Sequence, residues 1–106
     1  MPNIPINIVC ANGSIKAVPD KANAPFGQNA ITWNVAGNVT VTSITFDSPN
    51  APYSPPQQSG NQWTSSGNNN NTTNQPQPWP YTIQGSCSGS TPGNFDPEIV
   101  NDPKGG

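Results

Sequence analysis

The stretch AITWNVAGNVTVTSITF, residues 30–46, decides the fold class. In its first part Ile31, Trp33 and Val35 alternate with polar residues, which places three apolar side chains on one face of a strand. The sequence Ala-Gly-Asn then supplies a turn, and a second run, rich in β-branched residues, follows it. Because neither run shows a 3.6-residue apolar period, the stretch predicts two strands and no helix.

The apolar phase changes inside the second run. Val39 and Val41 share one phase of the alternation, whereas Ile44 and Phe46 share the other. A strand changes phase in this way where it contains one extra residue or where it crosses between two sheets. The sequence therefore predicts a β-bulge or a crossing near residues 42–44.

The same alternation recurs along the rest of the chain. Ile4, Ile6 and Ile8 share one face of an N-terminal strand, in which Pro5 allows an edge position or pairing on a single side. Residues 19–29 are expected to be a loop because they contain two prolines and a glycine. Further short strands are expected at residues 14–18, 62–64, 79–84 and 95–100, and an Asn-Gly dipeptide typical of a type I′ turn leads into the first of them.

Six or seven short strands with turn signals between them are typical of an antiparallel β-sandwich. We therefore expect residues 1–106 to form a single all-β domain. Residues 54–78, rich in Pro, Asn and Gln, are expected to be a polar loop region that Trp63 anchors to the sandwich. Within it, residues 67–75 have no apolar side chain to offset the entropy of ordering and predict a mobile surface loop.

Four short motifs resemble those of a known group of proteins. They are Ile31-Thr32-Trp33, Phe46-Asp47-Ser48-Pro49, Pro80-Tyr81-Thr82-Ile83 and Phe95-Asp96-Pro97-Glu98-Ile99-Val100-Asn101-Asp102. In these motifs the chain is similar, over about residues 4–102, to small uncharacterised bacterial proteins of the kind found in Burkholderia. The resemblance implies an immunoglobulin-like or cupredoxin-like β-sandwich with long polar loops and little or no helix, and it implies no activity.

The composition argues against several classes of function. Among 106 residues there are three Lys, five carboxylates and no Arg or His, which gives a net charge of -2. Without Arg, nucleic-acid binding by phosphate contacts is not expected. Without His, the chain lacks the commonest general base and the ligands of a cupredoxin copper site. Since no apolar run approaches about 20 residues, no membrane span is expected either.

Catalytic and metal chemistry find little support in the remaining residues. A serine nucleophile needs an adjacent base, and none of the three Lys lies in a recognisable motif. Asp96, Glu98 and Asp102, with Asp47, offer carboxylates for a hard cation such as Ca²⁺. Their spacing is not that of an EF-hand loop, and roles in turns and at strand ends are favoured. We therefore expect no enzymatic activity, no cofactor and no metal site.

Cys10 and Cys87, the two cysteines, lie 77 positions apart. The first ends the N-terminal strand and the second follows a late strand, so the fold could bring them together. A disulfide closing so long a loop contributes about 4 kcal/mol in the chain-entropy model. Because no signal peptide is visible, two reduced thiols are favoured over the disulfide, and both a cytoplasmic and a secreted location stay open.

Three aromatic residues, Tyr53, Trp63 and Trp79, lie among Pro, Gln, Asn and Ser. Exposed rings beside amide side chains suit a glycan, whereas rings that cover the ends of a thin sandwich have a structural role.

Two hypotheses on function follow from the sequence. The first is a monomeric, non-catalytic structural or protein-interaction domain whose polar loops contact another protein or a surface and are accessible to antibodies as an antigen. The second is a carbohydrate-binding module that uses these three rings.

Overall fold

The computed structural model describes residues 1–105, which form ten strands and no helix. The strands are β1 (Asn3–Ala11), β2 (Ser14–Val18), β3 (Lys21–Ala24), β4 (Gly27–Val35), β5 (Val39–Phe46), β6 (Gln57–Ser59), β7 (Gln62–Asn69), β8 (Gln77–Cys87), β9 (Gly93–Phe95) and β10 (Glu98–Asn101). They build two facing sheets, ordered β2-β1-β4-β7-β6 and β3-β10-β8-β5, and β9 also pairs with β8. The predicted all-β sandwich is confirmed.

Both sheets are mixed rather than purely antiparallel. β1 runs parallel to β4 and β3 runs parallel to β10, whereas the other neighbouring strands are antiparallel. A parallel pair needs a long crossover connection. Between β1 and β4 this crossover contains β3, which lies in the opposite sheet. Inward and outward side chains alternate in the same way in parallel and antiparallel strands, so the sequence pattern does not distinguish the two directions of pairing.

The two long sides of the sandwich differ. On one side the chain itself links the sheets, because β2 and β3 are edge strands joined by Pro19 and Asp20, with a cis peptide bond before Pro19. On the other side the edge strands are β5 and β6, which belong to different sheets. We call the gap between β5 and the β6–β7 pair the open seam.

The core consists of the inward-facing side chains of both sheets. Trp33 and Tyr81 are fully buried, and their ring centroids lie 5.4 Å apart in an edge-to-face arrangement. The Trp33 Nε1–H donates to the Tyr81 hydroxyl at 3.1 Å, so the largest buried ring has its polar atom satisfied. The other fully buried apolar residues of large volume are Ile6, Ile8, Ile31, Ile83 and Ile99.

Two local predictions are confirmed. The register between β5 and β8 shifts between Val41 and Ser43, which is the predicted bulge. The extra residue is Thr42, and its hydroxyl donates to the Gln84 carbonyl at 3.0 Å. At Pro5, β1 pairs only with β4, because β2 pairs with β1 only from Asn7 onward.

The interpretation of residues 19–29 as a loop is wrong. This region contains β3, and β4 already begins at Gly27. Ala22 and Ala24 are buried on the inner face of β3. Their small side chains bury so little area that they give only a weak strand signal in the sequence.

The interpretation of residues 54–78 as a loop region is wrong for half of its length. It contains β6 and the eight-residue β7, which is longer than the strand expected at residues 62–64. Trp63 is buried against the sandwich, as expected, and the inward alternation continues from it to Asn69. The side chains of Asn69 and Asn71 are buried, so the first part of the expected mobile loop at residues 67–75 is anchored to the protein.

Candidate binding cleft

A cleft of about 470 Å³ lies at the open seam. Its walls come from β5, from the segment that follows it and from β7; the lining residues are Ser43, Ile44, Thr45, Phe46, Ser48, Pro49, Ala51, Tyr53, Pro55, Pro56 and Trp63. Ligand sites in proteins typically have roughly 300–1,000 Å³ and mostly apolar walls with a few polar groups. This opening, called the seam cleft below, has both properties.

Aromatic rings connect the seam cleft to the core. Phe46 stacks on Tyr53, with centroids 5.7 Å apart. Phe46 also contacts the core rings of Tyr81 at 5.8 Å and Trp33 at 6.5 Å between centroids. Because the wall of the cleft is continuous with the packed core, its shape is fixed before any ligand arrives.

The segment that carries Tyr53 is held against β7 by backbone contacts. Tyr53 forms an isolated bridge with Gly67, and the Ser54 N–H donates to the Ser66 carbonyl at 2.8 Å. A Cβ at Gly67 would collide with the Pro52 carbonyl and with the Tyr53 ring. Glycine at position 67 therefore allows the segment to lie close enough to β7 to complete the cleft.

The Tyr53 hydroxyl is bonded inside the protein and stays protonated at neutral pH. It donates to Asn101 Oδ1 at 2.5 Å, inside the protein. Burial raises the pKa of Tyr53 to about 12, and the neighbouring amide side chains of Asn29 and Asn101 only partly oppose this. Tyr53 is therefore a neutral wall of the cleft.

Trp63 separates the seam cleft from a second cavity of about 240 Å³ along the same seam, and it lines both. Its indole Nε1–H is buried and has no acceptor within residues 1–105, and the Nε1–H of Trp79 on β8 shares this property. A buried donor without an acceptor costs about 1–3 kcal/mol. The Trp63 Nε1–H is therefore an unsatisfied donor on a side chain that lines both cavities.

The structure brings together two of the three aromatic residues singled out from the sequence. Tyr53 and Trp63 meet in the seam cleft, but they are only 6% and 8% exposed. Trp79 is half-buried on β8, opposite Ile99, and does not line this cleft. Of the two alternatives for these rings, exposure is wrong for Tyr53 and Trp63, and Trp63 is buried against the sandwich as predicted, because the strand alternation and the Gly67 contact turn both rings inward.

Sequence reasoning did not find the other walls of the cleft. It places Phe46 in a strand, in phase with Ile44, and Pro55 and Pro56 in the polar loop region. The phase change in β5 is the signal that pointed there, since it puts Phe46 and Ile44 on the inner face next to an unpaired edge.

Cys10 and Cys87 form a disulfide, with their Cα atoms 5.7 Å apart. It joins β1 of one sheet to the end of β8 in the other, at the end of the sandwich where the Asn12-Gly13 turn lies. The disulfide therefore fixes the two sheets together and does not take part in the seam cleft.

The carboxylates lie at turns and strand ends. The Thr82 hydroxyl lies 2.7 Å from Asp47 Oδ1 and 2.9 Å from Asp96 Oδ1 and donates its single proton to one of them at a time. Glu98 forms an ion pair with Lys21 at 3.8 Å. Over residues 1–105, no cluster of three or more His, Cys, Asp or Glu side chains is arranged to hold a metal ion. That part of the chain also contains no helix with the length and apolarity to span a membrane.

No protein-family model and no curated protein matches this chain.

Proposed function

We propose that this protein is a non-catalytic protein-interaction domain and that the seam cleft is its binding site. The observation that carries the proposal is an apolar cleft of about 470 Å³ lined by Trp63, whose buried indole N–H has no acceptor within the described residues. None of the eleven residues lining it carries a charge at neutral pH. Its ligand is therefore an uncharged, largely apolar segment with a hydrogen-bond acceptor.

The chemistry of the lining supports binding rather than catalysis. The lining contains two serine hydroxyls, those of Ser43 and Ser48, and it contains no general base that could activate them. The raised pKa of Tyr53 keeps its phenol protonated. Such a wall can pack against a ligand and hydrogen-bond to it, but it has no group that exchanges protons near neutral pH.

A carbohydrate-binding module is the second candidate. It is favoured by the position of Tyr53 and Trp63 in one cleft with the hydroxyl groups of Ser43, Thr45 and Ser48. It is weakened by the burial of both rings, since a sugar stacks on an open ring face.

The sheet topology supports the cupredoxin-like architecture over the immunoglobulin-like one. Immunoglobulin domains pack two antiparallel sheets, whereas each sheet here contains a parallel pair. A cupredoxin-like fold in this chain would serve a purpose other than copper binding, because the sequence contains no His.

The proposal is tested by panning the intact protein against a displayed library of random octapeptides and against a glycan array. Trp63→Phe keeps an aromatic ring but removes the indole N–H, and Trp79→Phe is the matched control outside the cleft. We expect uncharged peptides to bind and Trp63→Phe to weaken them about tenfold, the value of one hydrogen bond. Binding of glycans alone would favour the second candidate. Equal effects of both variants would show that the cleft is not the site.

A further inference from the structure

We propose that the partner segment binds to this protein as an additional strand along β5, with alternate side chains entering the open seam. The inference rests on the proposed function and names the backbone contacts that would accompany it. Its basis is the combination of an unpaired strand edge and cavities directly beside that edge.

One contact shows which residues in the second half of β5 bond to β8 and which face the free edge. The Asp47 N–H donates to the Pro80 carbonyl at 3.0 Å, just beyond the end of the β5–β8 ladder. In an antiparallel pair, bonded and non-bonded positions alternate. Ser43 and Thr45 therefore bond to β8, whereas the N–H and C=O groups of Ile44 and Phe46 point away from the sheet.

In the first half of β5, bonded and free backbone positions also alternate, but the bulge shifts the alternation by one residue. The Ser88 N–H donates to the Asn38 carbonyl at 2.9 Å. Thr40 is then the position bonded to β8, and the backbone groups of Val41 point outward. The bulge at Thr42 thus separates two short sets of free backbone donors and acceptors.

β5 lacks most of the features that protect edge strands. Natural edges are commonly short, covered, or interrupted by Lys or Pro. The sequence of β5, VTVTSITF, contains no charge and no proline over eight residues. By comparison, β6 and β3 span three and four residues, and β2 carries Lys16. The bulge is the one protective feature of β5, so it is the edge most suited to accept a strand.

The cavities beside this edge indicate which strand fits. Alternate side chains of an added strand would point into the seam, about 6.6–6.8 Å apart. They would meet the seam cleft and the 240 Å³ cavity, whose linings contain no charged residue. Charge complementarity therefore favours a partner segment whose inward side chains are uncharged and apolar, with a carbonyl or hydroxyl near Trp63.

Backbone pairing is tested by amide hydrogen exchange followed by NMR. In the free protein we expect fast exchange at Ile44 and Phe46 and slow exchange at Ser43 and Thr45. An octapeptide selected on the intact protein should slow exchange at Ile44 and Phe46 at least tenfold. Methylating alternate peptide nitrogens in the phase that faces β5 should weaken binding at least tenfold, and methylation in the opposite phase is the matched control.

The possible results separate this inference from the proposed function. A peptide that depends on Trp63 but leaves Ile44 and Phe46 unprotected, with no effect of methylation, would overturn strand addition and leave the cleft as binding site. Failure of every peptide to bind at the cleft would overturn both. If Ile44 and Phe46 become protected in the free protein as its concentration rises, a second copy occupies the edge and the partner proposal is wrong.

Discussion

Phe46 of β5 stacks on Tyr53, with ring centroids 5.7 Å apart and ring planes inclined at 19°. This stack connects the edge of one sheet to a segment that Gly67 holds against the other sheet. Both rings line the seam cleft. The shape of the cleft is therefore a property of how the two sheets pack, and changes beneath it should alter stability and binding together.

Replacing Tyr53 by Phe should destabilise the fold while keeping the aromatic stack. The substitution removes the hydrogen bond to Asn101 Oδ1 and leaves that fully buried amide oxygen without its donor. We expect the free energy of unfolding to fall by about 1–3 kcal/mol, measured by urea denaturation. A change within the roughly 0.5 kcal/mol of an ordinary surface substitution would show that the buried bond contributes nothing.

Stability should fall at alkaline pH because of the two buried tyrosines. Burial raises the pKa of Tyr53 from 10.0 to about 12 and raises the pKa of Tyr81 further. Above about pH 10 the unfolded chain loses these protons while the folded chain keeps them, so the free energy of unfolding decreases as pH rises. Below about pH 10 the contribution is fully present. Urea denaturation at about pH 8, 10 and 11 should show this decline, and Tyr53→Phe should reduce its slope; a flat profile would contradict it.

Reducing the disulfide should lower stability without changing the fold. Cys10 and Cys87 close a loop with a sequence separation of 77, and the chain-entropy model assigns such a loop about 4 kcal/mol. We expect that loss in urea denaturation with reductant present. The double variant Cys10→Ser and Cys87→Ser is the control, because it should show the same loss and no further effect of reductant. Equal stability with and without reductant in the native protein would contradict the prediction.

Much of the core could be predicted from the sequence because burial follows local alternation. Ile6, Ile8, Ile31 and Trp33 repeat at every second position, and each is fully buried. Strand pairing could not be predicted in the same way. The parallel register of Ile6 with Trp33 depends on where the intervening chain lies, which no local pattern contains.

The candidate site was only partly predictable for a related reason. Trp63 and Tyr53 stood out as large rings among polar residues, and both line the seam cleft. Their burial depends on contacts between distant segments, such as the close approach of Tyr53 to Gly67. A polar composition suggested exposure, but a polar side chain can also be buried where distant backbone groups satisfy it.

The run of four asparagines shows this most directly. The Asn69 amide donates to the carbonyls of Ala24 at 2.9 Å and Asp102 at 3.0 Å, and its Oδ1 accepts from the Asn71 N–H at 2.9 Å. Asn71 in turn donates to the Asn101 carbonyl at 3.0 Å. Asn70 is exposed between them. The run therefore connects β7 to the C-terminal ends of β3 and β10.

Asn69→Ala should consequently lower the free energy of unfolding much more than Asn70→Ala, although the two substitutions change neighbouring residues of the same type. Asn69→Ala removes three hydrogen bonds and leaves the Asp102 carbonyl and the Asn71 N–H without this partner, whereas the Ala24 carbonyl keeps the Asp102 N–H, and we expect a loss of roughly 2–4 kcal/mol in the free energy of unfolding. Asn70→Ala should stay within about 0.5 kcal/mol of the native protein. Backbone NMR relaxation should also show rigid order parameters, about 0.85, at Asn69 and Asn71. Equal effects of the two substitutions, with low order parameters across the run, would mean that these amides are solvated and that β7 ends before them.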